Sequence, residues 1–185
     1  MTQSAEYKKL LQEMHEANPK WGKEFKKDPI PAMLQNAIAK YKPKSILDFG
    51  TGKGFLTKKL KLQYPDIDVI GWDPIFDEPL PEKVDMVVST DVLEHVEPQE
   101  LENTLLDLKN RTKICQYHII ACFPAVSILP DGRNAHLIIE NPQWWKEKLK
   151  ILEMRTVIDK VIRYTKPKKN KKSLKIVKYE CILEL

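Results

Sequence analysis

Three of the chain's six glycines fall within five residues, at Gly50, Gly52 and Gly54. Just ahead of them runs Ser45-Ile46-Leu47-Asp48-Phe49, a short apolar stretch that reads as a buried strand. Behind them, Leu56, Leu60 and Tyr64 recur at the spacing of a helix packed on one side, over 55–64. A glycine-dense turn between strand and helix is where a doubly wound sheet holds its ligand, because glycine turns tightly and lets backbone approach a bound group closely. Two phosphate-binding patterns fail here. In a GxGxxG fingerprint the third glycine position would be Phe55, and Gly54 comes one residue early; the GK-Ser/Thr ending of a P-loop is absent. Asp48, beside the loop, would repel a pyrophosphate but suits a ligand carrying positive charge. Asp73 closes the next apolar run, 67–72, 19 residues after Gly54, where a carboxylate can accept hydrogen bonds from both hydroxyls of a ribose.

The strand-then-helix alternation continues. Residues 84–89 form a third apolar run, 98–112 puts Leu101, Leu105 and Leu108 on one helical face after Pro98, and 117–123 forms a fourth run ended by Pro124. Asn141-Pro142 reads as an N-cap followed by the first helical position, which starts a short helix over 143–150. Two alternating β-rich stretches, 151–165 and 173–184, flank a lysine-rich turn as a hairpin. Ahead of the glycine loop lie two amphipathic helices, 3–16 with Tyr7, Leu10, Leu11 and Met14, and 31–41 with Ala32, Met33, Ala37 and Ile38. This order predicts an α/β fold: a parallel sheet with right-handed crossovers, an antiparallel strand added by the C-terminal hairpin, and a helical arm or lid over 1–42 ahead of the domain at 43–185.

Composition fits one soluble domain, with 42% hydrophobic and 31% charged residues in a chain of 185. Cys115, Cys122 and Cys181 are odd in number and lack CxxC spacing, which argues against a disulfide framework and suits a reducing cytoplasm. No apolar run approaches the ~18 residues of a membrane span, and MTQSAEYKKL lacks a signal-peptide core, so a cytoplasmic protein with no membrane partner is expected. The net charge of +5 is concentrated at Lys166, Lys168, Lys169, Lys171 and Lys172. That cluster reads as a solvated hairpin tip rather than a nucleic-acid contact.

SILDFGTGKGFLTKKL resembles the first motif of class I S-adenosylmethionine (SAM)-dependent methyltransferases, VIGWDP their second-strand motif, and DMVVSTDVLEHV their fourth-strand motif. The motifs keep the family's order, and with the surrounding elements the resemblance covers residues 41–165. SAM carries an ammonium and a sulfonium and no phosphate, the charges that Asp48 suits. The resemblance implies a Rossmann-like, doubly wound, mostly parallel sheet that binds SAM at its topological switch point. It implies that Gly50 and Gly52, with Asp48 and Thr51 in the same loop, line the methionine part, that Asp73 and Pro74 meet the ribose, and that Asp91, Val92 and Leu93 cover the adenine side or the transferable methyl. The sequence departs from the family in one place. Only eleven residues separate Asp73 from Asp85, too few for a helix plus the usual third strand. The sheet should then have six or seven strands, and Asp77 and Glu78 are poor substitutes for the usual acidic contact to the adenine amine.

Methyl transfer is an in-line displacement, so the protein mainly aligns the acceptor and takes its proton. His95 in DVLEHV and His136 in DGRNAHLI are the candidate bases, with Asp91 beside them. Asp91, Glu94, His95 and His136 also make a possible metal set, which resembles that of metal-dependent small-RNA 2′-O-methyltransferases; in many relatives the same Leu-Glu-His-Val simply opens a loop or helix. Arg133, Asn134 and His136 offer donors to an acceptor, one of Trp144 and Trp145 could wall its pocket, and Trp21-Gly22 could belong to a lid. Neither DPPY nor NPPF occurs, no Pro-Cys nucleophile is present, and no Gly-x-Ser-x-Gly elbow is found, which sets aside DNA-base amino and C5 methylation and the serine hydrolases. The expectation is a SAM-dependent methyltransferase acting on a small-molecule or sugar-like acceptor. The alternatives are a metal-assisted RNA 2′-O-methyltransferase, a non-catalytic SAM-binding module, and a nicotinamide-dependent oxidoreductase, the last disfavoured by the glycine spacing and by Asp48.

Overall fold

The computed structural model describes residues 3–17, 28–75, 79–168 and 171–185, and of Lys168, Lys171 and Lys172 the backbone alone. The strands are β1 (Ser45–Phe49), β2 (Asp68–Trp72), β3 (Val84–Thr90), β4 (Thr112–Ala121), β5 (Arg155–Lys168) and β6 (Lys171–Glu184). The helices are α1 (Ala5–Ala17), α2 (Ala32–Tyr41), α3 (Phe55–Gln63), α4 (Leu101–Arg111) and α5 (Pro142–Leu149). One sheet runs in the order β2-β1-β3-β4-β6-β5. Its first four strands are parallel, β6 lies antiparallel to β4, and β5 antiparallel to β6. The described segment between β2 and β3 carries no strand, so the sheet has six strands and the seven-stranded option falls away.

Strand residues alternate between the two faces of a sheet, and the core divides accordingly. Ile46, Met86 and Val88 pack against Met33, Leu34 and Ala37 of α2 and Leu56 and Leu60 of α3. Leu47, Phe49 and Val87 face the other way, onto Leu101, Leu105 and Leu108 of α4 and Trp145 of α5. Each of those leucines, fully buried, contributes about 1.5–3 kcal/mol relative to exposure. Helix α5 starts at the predicted cap, where the Asn141 side-chain oxygen accepts from the Trp144 backbone N–H at 3.0 Å, an interaction that stabilises a helix by about 1 kcal/mol. Trp145 is fully buried, and Trp144 packs partly buried against the same core.

Strand β4 differs from expectation. It begins at Thr112, five residues before the predicted start at 117, and the helix before it opens with a 3₁₀ turn at Pro98–Glu100. Gln116 and His118 interrupt the apolar pattern there, yet both are fully buried. A closed chain of hydrogen bonds makes that possible. Gln116 Nε2 donates to Thr112 Oγ1 at 2.9 Å, and its amide oxygen takes the His118 Nε2 proton at 2.8 Å. His118 Nδ1 is then the acceptor for the Ser89 hydroxyl at 2.7 Å. Burial pulls the His118 pKa down to about 4, so the ring is neutral at physiological pH.

Helix α1 does not join either core face. Its buried Tyr7, Leu11 and Met14 pack on Leu129 and Ala135 of the loop after β4. Ser4 fastens its start, donating from its backbone N–H and its hydroxyl to the Glu97 carboxylate at 2.7 and 2.9 Å. The Tyr7 hydroxyl donates to the His95 carbonyl at 2.6 Å. Trp21, Gly22, Asp77, Glu78, Lys169 and the side chains of Lys168, Lys171 and Lys172, all singled out in the sequence, lie outside the described residues. No helix among the described residues is long and apolar enough to cross a membrane.

Candidate active site

Helix α3 leaves β1 for one face of the sheet, and α4 connects β3 to β4 on the other. Chain leaving neighbouring strands in opposite directions opens a crevice at their carboxyl ends. A cavity of about 390 Å³ occupies this crevice, within the size range of small-ligand sites. Asp48, Gly50, Thr51, Gly52, Asp73 and Pro74 line one end, and Asp91, Val92, His95, His136 and Lys178 line the other. Leu93 does not line it: its side chain is fully buried in the core beneath β3.

The glycine loop is fastened to the end of β2. Gly50 and Thr51 both donate their backbone N–H to the Trp72 carbonyl, at 2.7 and 3.0 Å. Gly52 N–H donates to Asp73 Oδ2 at 2.8 Å, and Ile75 N–H to Asp73 Oδ1 at 3.3 Å. Gly50, Gly52 and Gly54 all take positive φ, at 76°, 54° and 70°. Gly50 also has no room for a side chain, since an added Cβ would stand 2.5 Å from a Val92 methyl. Asp48, 2% exposed, accepts from the Thr51 and Thr57 hydroxyls at 2.9 and 2.6 Å. Burial raises both carboxyls above the usual range, and their hydroxyl and N–H partners offset part of that shift. Two desolvated carboxyls beside a cavity gain from a cationic, hydroxyl-bearing ligand. Thr57 and Gly71 were not legible as site residues. An added Cβ on Gly71 would lie 2.6 Å from Thr57 Oγ1, so the bare β2 position is what lets Thr57 reach Asp48.

At the other end, Asp91 leaves β3 with φ 55°, its N–H on the Ile119 carbonyl at 2.8 Å. One carboxylate oxygen, Oδ2, pairs with Lys178 Nζ at 2.5 Å, and Oδ1 is buried with no partner among the described residues. Glu94 is the middle residue of the 3₁₀ turn Leu93–His95 and is wholly buried. Its Oε1 accepts from Ala121 N–H at 3.1 Å, and Oε2 has no partner among the described residues. Burial, with the Asp91 charge added, holds its carboxyl well above the ordinary range.

His95 and His136 stand edge to face, ring centres 4.8 Å apart. His95 Nδ1 bonds the Ala135 carbonyl at 2.6 Å, and His136 Nδ1 the Phe123 carbonyl at 2.5 Å. A carbonyl can only accept, so each ring carries its proton on Nδ1 and its lone pair on Nε2. Burial, then the neighbouring His136, pulls His95 down to about 4; burial lowers His136 as well.

Three residues expected to face an acceptor do not. Arg133 pairs with Asp131 at 2.6 Å and lies over the Tyr7 ring, outside the cavity. Asn134 spends its side chain on both backbone groups of Ala125, at 2.9 and 3.0 Å. Trp144 packs partly buried against the core beneath the sheet, away from the cavity. Lys178 was missed, because a lone lysine in an alternating strand carries no signal of facing inward.

A Rossmann-like sheet with this loop and this crevice is the architecture that the sequence resemblance implied. The methyltransferase-domain family matches residues 14–147, and the chain belongs to it. It is an enzyme of the class I type with SAM as cofactor. No curated protein matches. Among solved structures, the Burkholderia thailandensis 1,6-didemethyltoxoflavin-N1-methyltransferase, bound to 1,6-didemethyltoxoflavin and S-adenosylhomocysteine, is 14% identical with a TM-score of 0.59, over 100% of this chain and 91% of that one. The mitomycin 7-O-methyltransferase MmcR is 12% identical with a TM-score of 0.60, over 97% of this chain. TehB from Haemophilus influenzae is 14% identical with a TM-score of 0.56, over 89% of this chain. The chain spans 60% of MmcR's length and 65% of TehB's.

Proposed function

We propose that this enzyme transfers the SAM methyl group to a hydroxyl of a small, sugar-like molecule held between the sulfonium and the His95–His136 pair. The observation that carries this reading is the make-up of the cavity wall. Gln3, Leu11 and His15, from the N-terminal segment, line the same cavity as Gly50 and His136. A site narrowed on one side by α1 suits a compact acceptor better than a polymer, and α1 acts as its lid. In this reading the methionine part of SAM lies on Asp48 and the Gly50–Gly52 loop, its ribose on Asp73, and its adenine near Pro74 and Val92, while Asp91 borders the methyl. His136 Nε2 takes the acceptor proton as the new C–O bond forms. Two methyltransferase structures whose names state an acceptor act on small molecules, one at nitrogen and one at oxygen, which supports the small-molecule part of this reading.

Replacing Asp73 with Ala is expected to weaken SAM binding by ~1–3 kcal/mol, since ribose hydroxyls lose a charged acceptor and the loop loses its Gly52 anchor. Calorimetric titration with SAM and S-adenosylhomocysteine measures it, and an unchanged affinity would contradict the placement.

A second reading, metal-assisted transfer to an RNA ribose 2′-hydroxyl, draws on one feature: ligand atoms of Glu94, His95 and His136 lie within 4.8 Å of one another. A divalent ion there would polarise the acceptor oxygen. One experiment separates the readings. Methyl-labelled SAM is incubated with the enzyme and with metabolite or RNA pools, with and without EDTA. Label in small hydroxyl compounds that persists with EDTA is the expected result. Label confined to RNA, lost on chelation and restored by magnesium, would establish the second reading instead.

A further inference from the structure

Lys178 reaches the acceptor end of the cavity from β6, far from every motif in the sequence. Its ammonium nitrogen lies 2.5 Å from Asp91 Oδ2, and the two side chains are only 20% and 19% exposed. Near Asp91 sit Glu94, His95 and His136, with their ligand-type atoms within 4.8 Å of one another. One carboxyl and two imidazoles gathered at one point, with the Asp91 carboxyl close by, make a donor set suited to a divalent metal. Here a cation already stands among them. Its charge acts on Glu94 and on His136 as well as on Asp91. Asp91 is already paired with Lys178, and a dication approaching Glu94, His95 and His136 would meet a shielded ammonium at the low effective dielectric of the interior.

We propose that Lys178 is the tethered cation of this cluster: it takes the place of a divalent metal beside Asp91 and gives the acceptor oxygen an ammonium to bind. The inference rests on metal-independent transfer to a hydroxyl, as proposed above. The acceptor oxygen forms its bond to the methyl carbon as its proton passes to His136 Nε2. The carbon–sulfur electron pair stays on sulfur, leaving neutral S-adenosylhomocysteine. Lys178 keeps its proton throughout and donates an N–H to the oxygen, and His136 later releases its proton to solvent. No further reactant is needed.

The test uses the full chain and manganese ion alone as probe, with free Mn²⁺ followed by electron paramagnetic resonance. The unaltered enzyme is expected to bind Mn²⁺ no tighter than about 1 mM. Lys178→Met should bind it at least ~10-fold tighter, because a repelling charge is gone and Asp91 is released. Lys178→Arg, which keeps the cation, should behave as the unaltered enzyme, and adding His136→Ala to Lys178→Met should abolish the gain. A lysine that merely supports the fold would not yield a new metal site on removal. S-adenosylhomocysteine titration accompanies every variant, and Lys178→Gln replaces Lys178→Met if the latter fails to bind it. Micromolar Mn²⁺ binding by the unaltered enzyme, or no gain in a variant that still binds S-adenosylhomocysteine, overturns the proposal. Failure of the unaltered enzyme to bind S-adenosylhomocysteine would instead strike at the cofactor site, a separate result.

Discussion

Replacing His136 with Ala is expected to lower methyl-transfer turnover by ~10²–10⁴-fold, the usual contribution of a positioned general base, with SAM affinity nearly unchanged. Its ring is fixed by the Phe123 carbonyl and set against His95, at the opposite end of the cavity from Asp73. The pH profile should carry the same signature. Burial holds His95 at about 4 and lowers His136 as well, so both rings keep their lone pairs into mildly acid solution. The acid limb of kcat/KM should therefore fall below the ordinary histidine value of about 6.5. A base this weak still serves, because the acceptor's proton becomes acidic as its oxygen bonds to carbon. Steady-state kinetics on an acceptor from the labelled-SAM screen measure both effects. Full turnover in both His136→Ala and His95→Ala would remove the base assignment.

Gly50→Ala is expected to weaken SAM binding by at least ~100-fold, about 2.7 kcal/mol. The residue has φ 76°, and the new Cβ would stand 2.5 and 2.6 Å from the two Val92 methyls. Backbone or Val92 must move, and both line the cavity. Gly132→Ala is the matched control. Its φ is 87°, but nothing lies within 4 Å of an added Cβ, so it incurs only the left-handed backbone penalty of roughly 1–2 kcal/mol and should leave SAM affinity intact. Equal affinity in the two variants would show that the Gly50–Val92 contact does not shape the cofactor site.

The glycine-loop end of the cavity was legible because its chemistry is local. Asp48, Gly50, Thr51 and Gly52 are consecutive or nearly so, and a turn that needs positive φ writes itself as glycine. Asp73 followed from its place at the end of a strand, and the short segment before β3 already pointed to a six-stranded sheet. The histidine end was legible only in part. His95 and His136 stood out as rare residue types, and the structure brings them together. Arg133 and Asn134 looked equally available, but Asp131, Tyr7 and Ala125 occupy them. The start of β4 was hidden because Gln116 and His118 are polar, and only the side-chain chain through Ser89 and Thr112 makes their burial tolerable. Lys178 shows the same limit: that it faces the cavity is decided by the pairing of β6 with β4, which joins residues more than fifty positions apart.

The sheet order has a consequence for the timing of folding on the ribosome. Strand β5 touches the rest of the sheet only through β6, its successor in the chain. While β5 emerges it has no pairing partner, and β4 still exposes the edge that β6 will cover. A nascent chain elongating at about 5–20 residues per second therefore carries one long unpaired strand and one bare sheet edge until β6 is made. The β1–β3–β4 half, with α3 and α4 on its faces, has no such dependence. The interval between the two is when an unfinished copy is most exposed to pairing with a neighbour through its open edge.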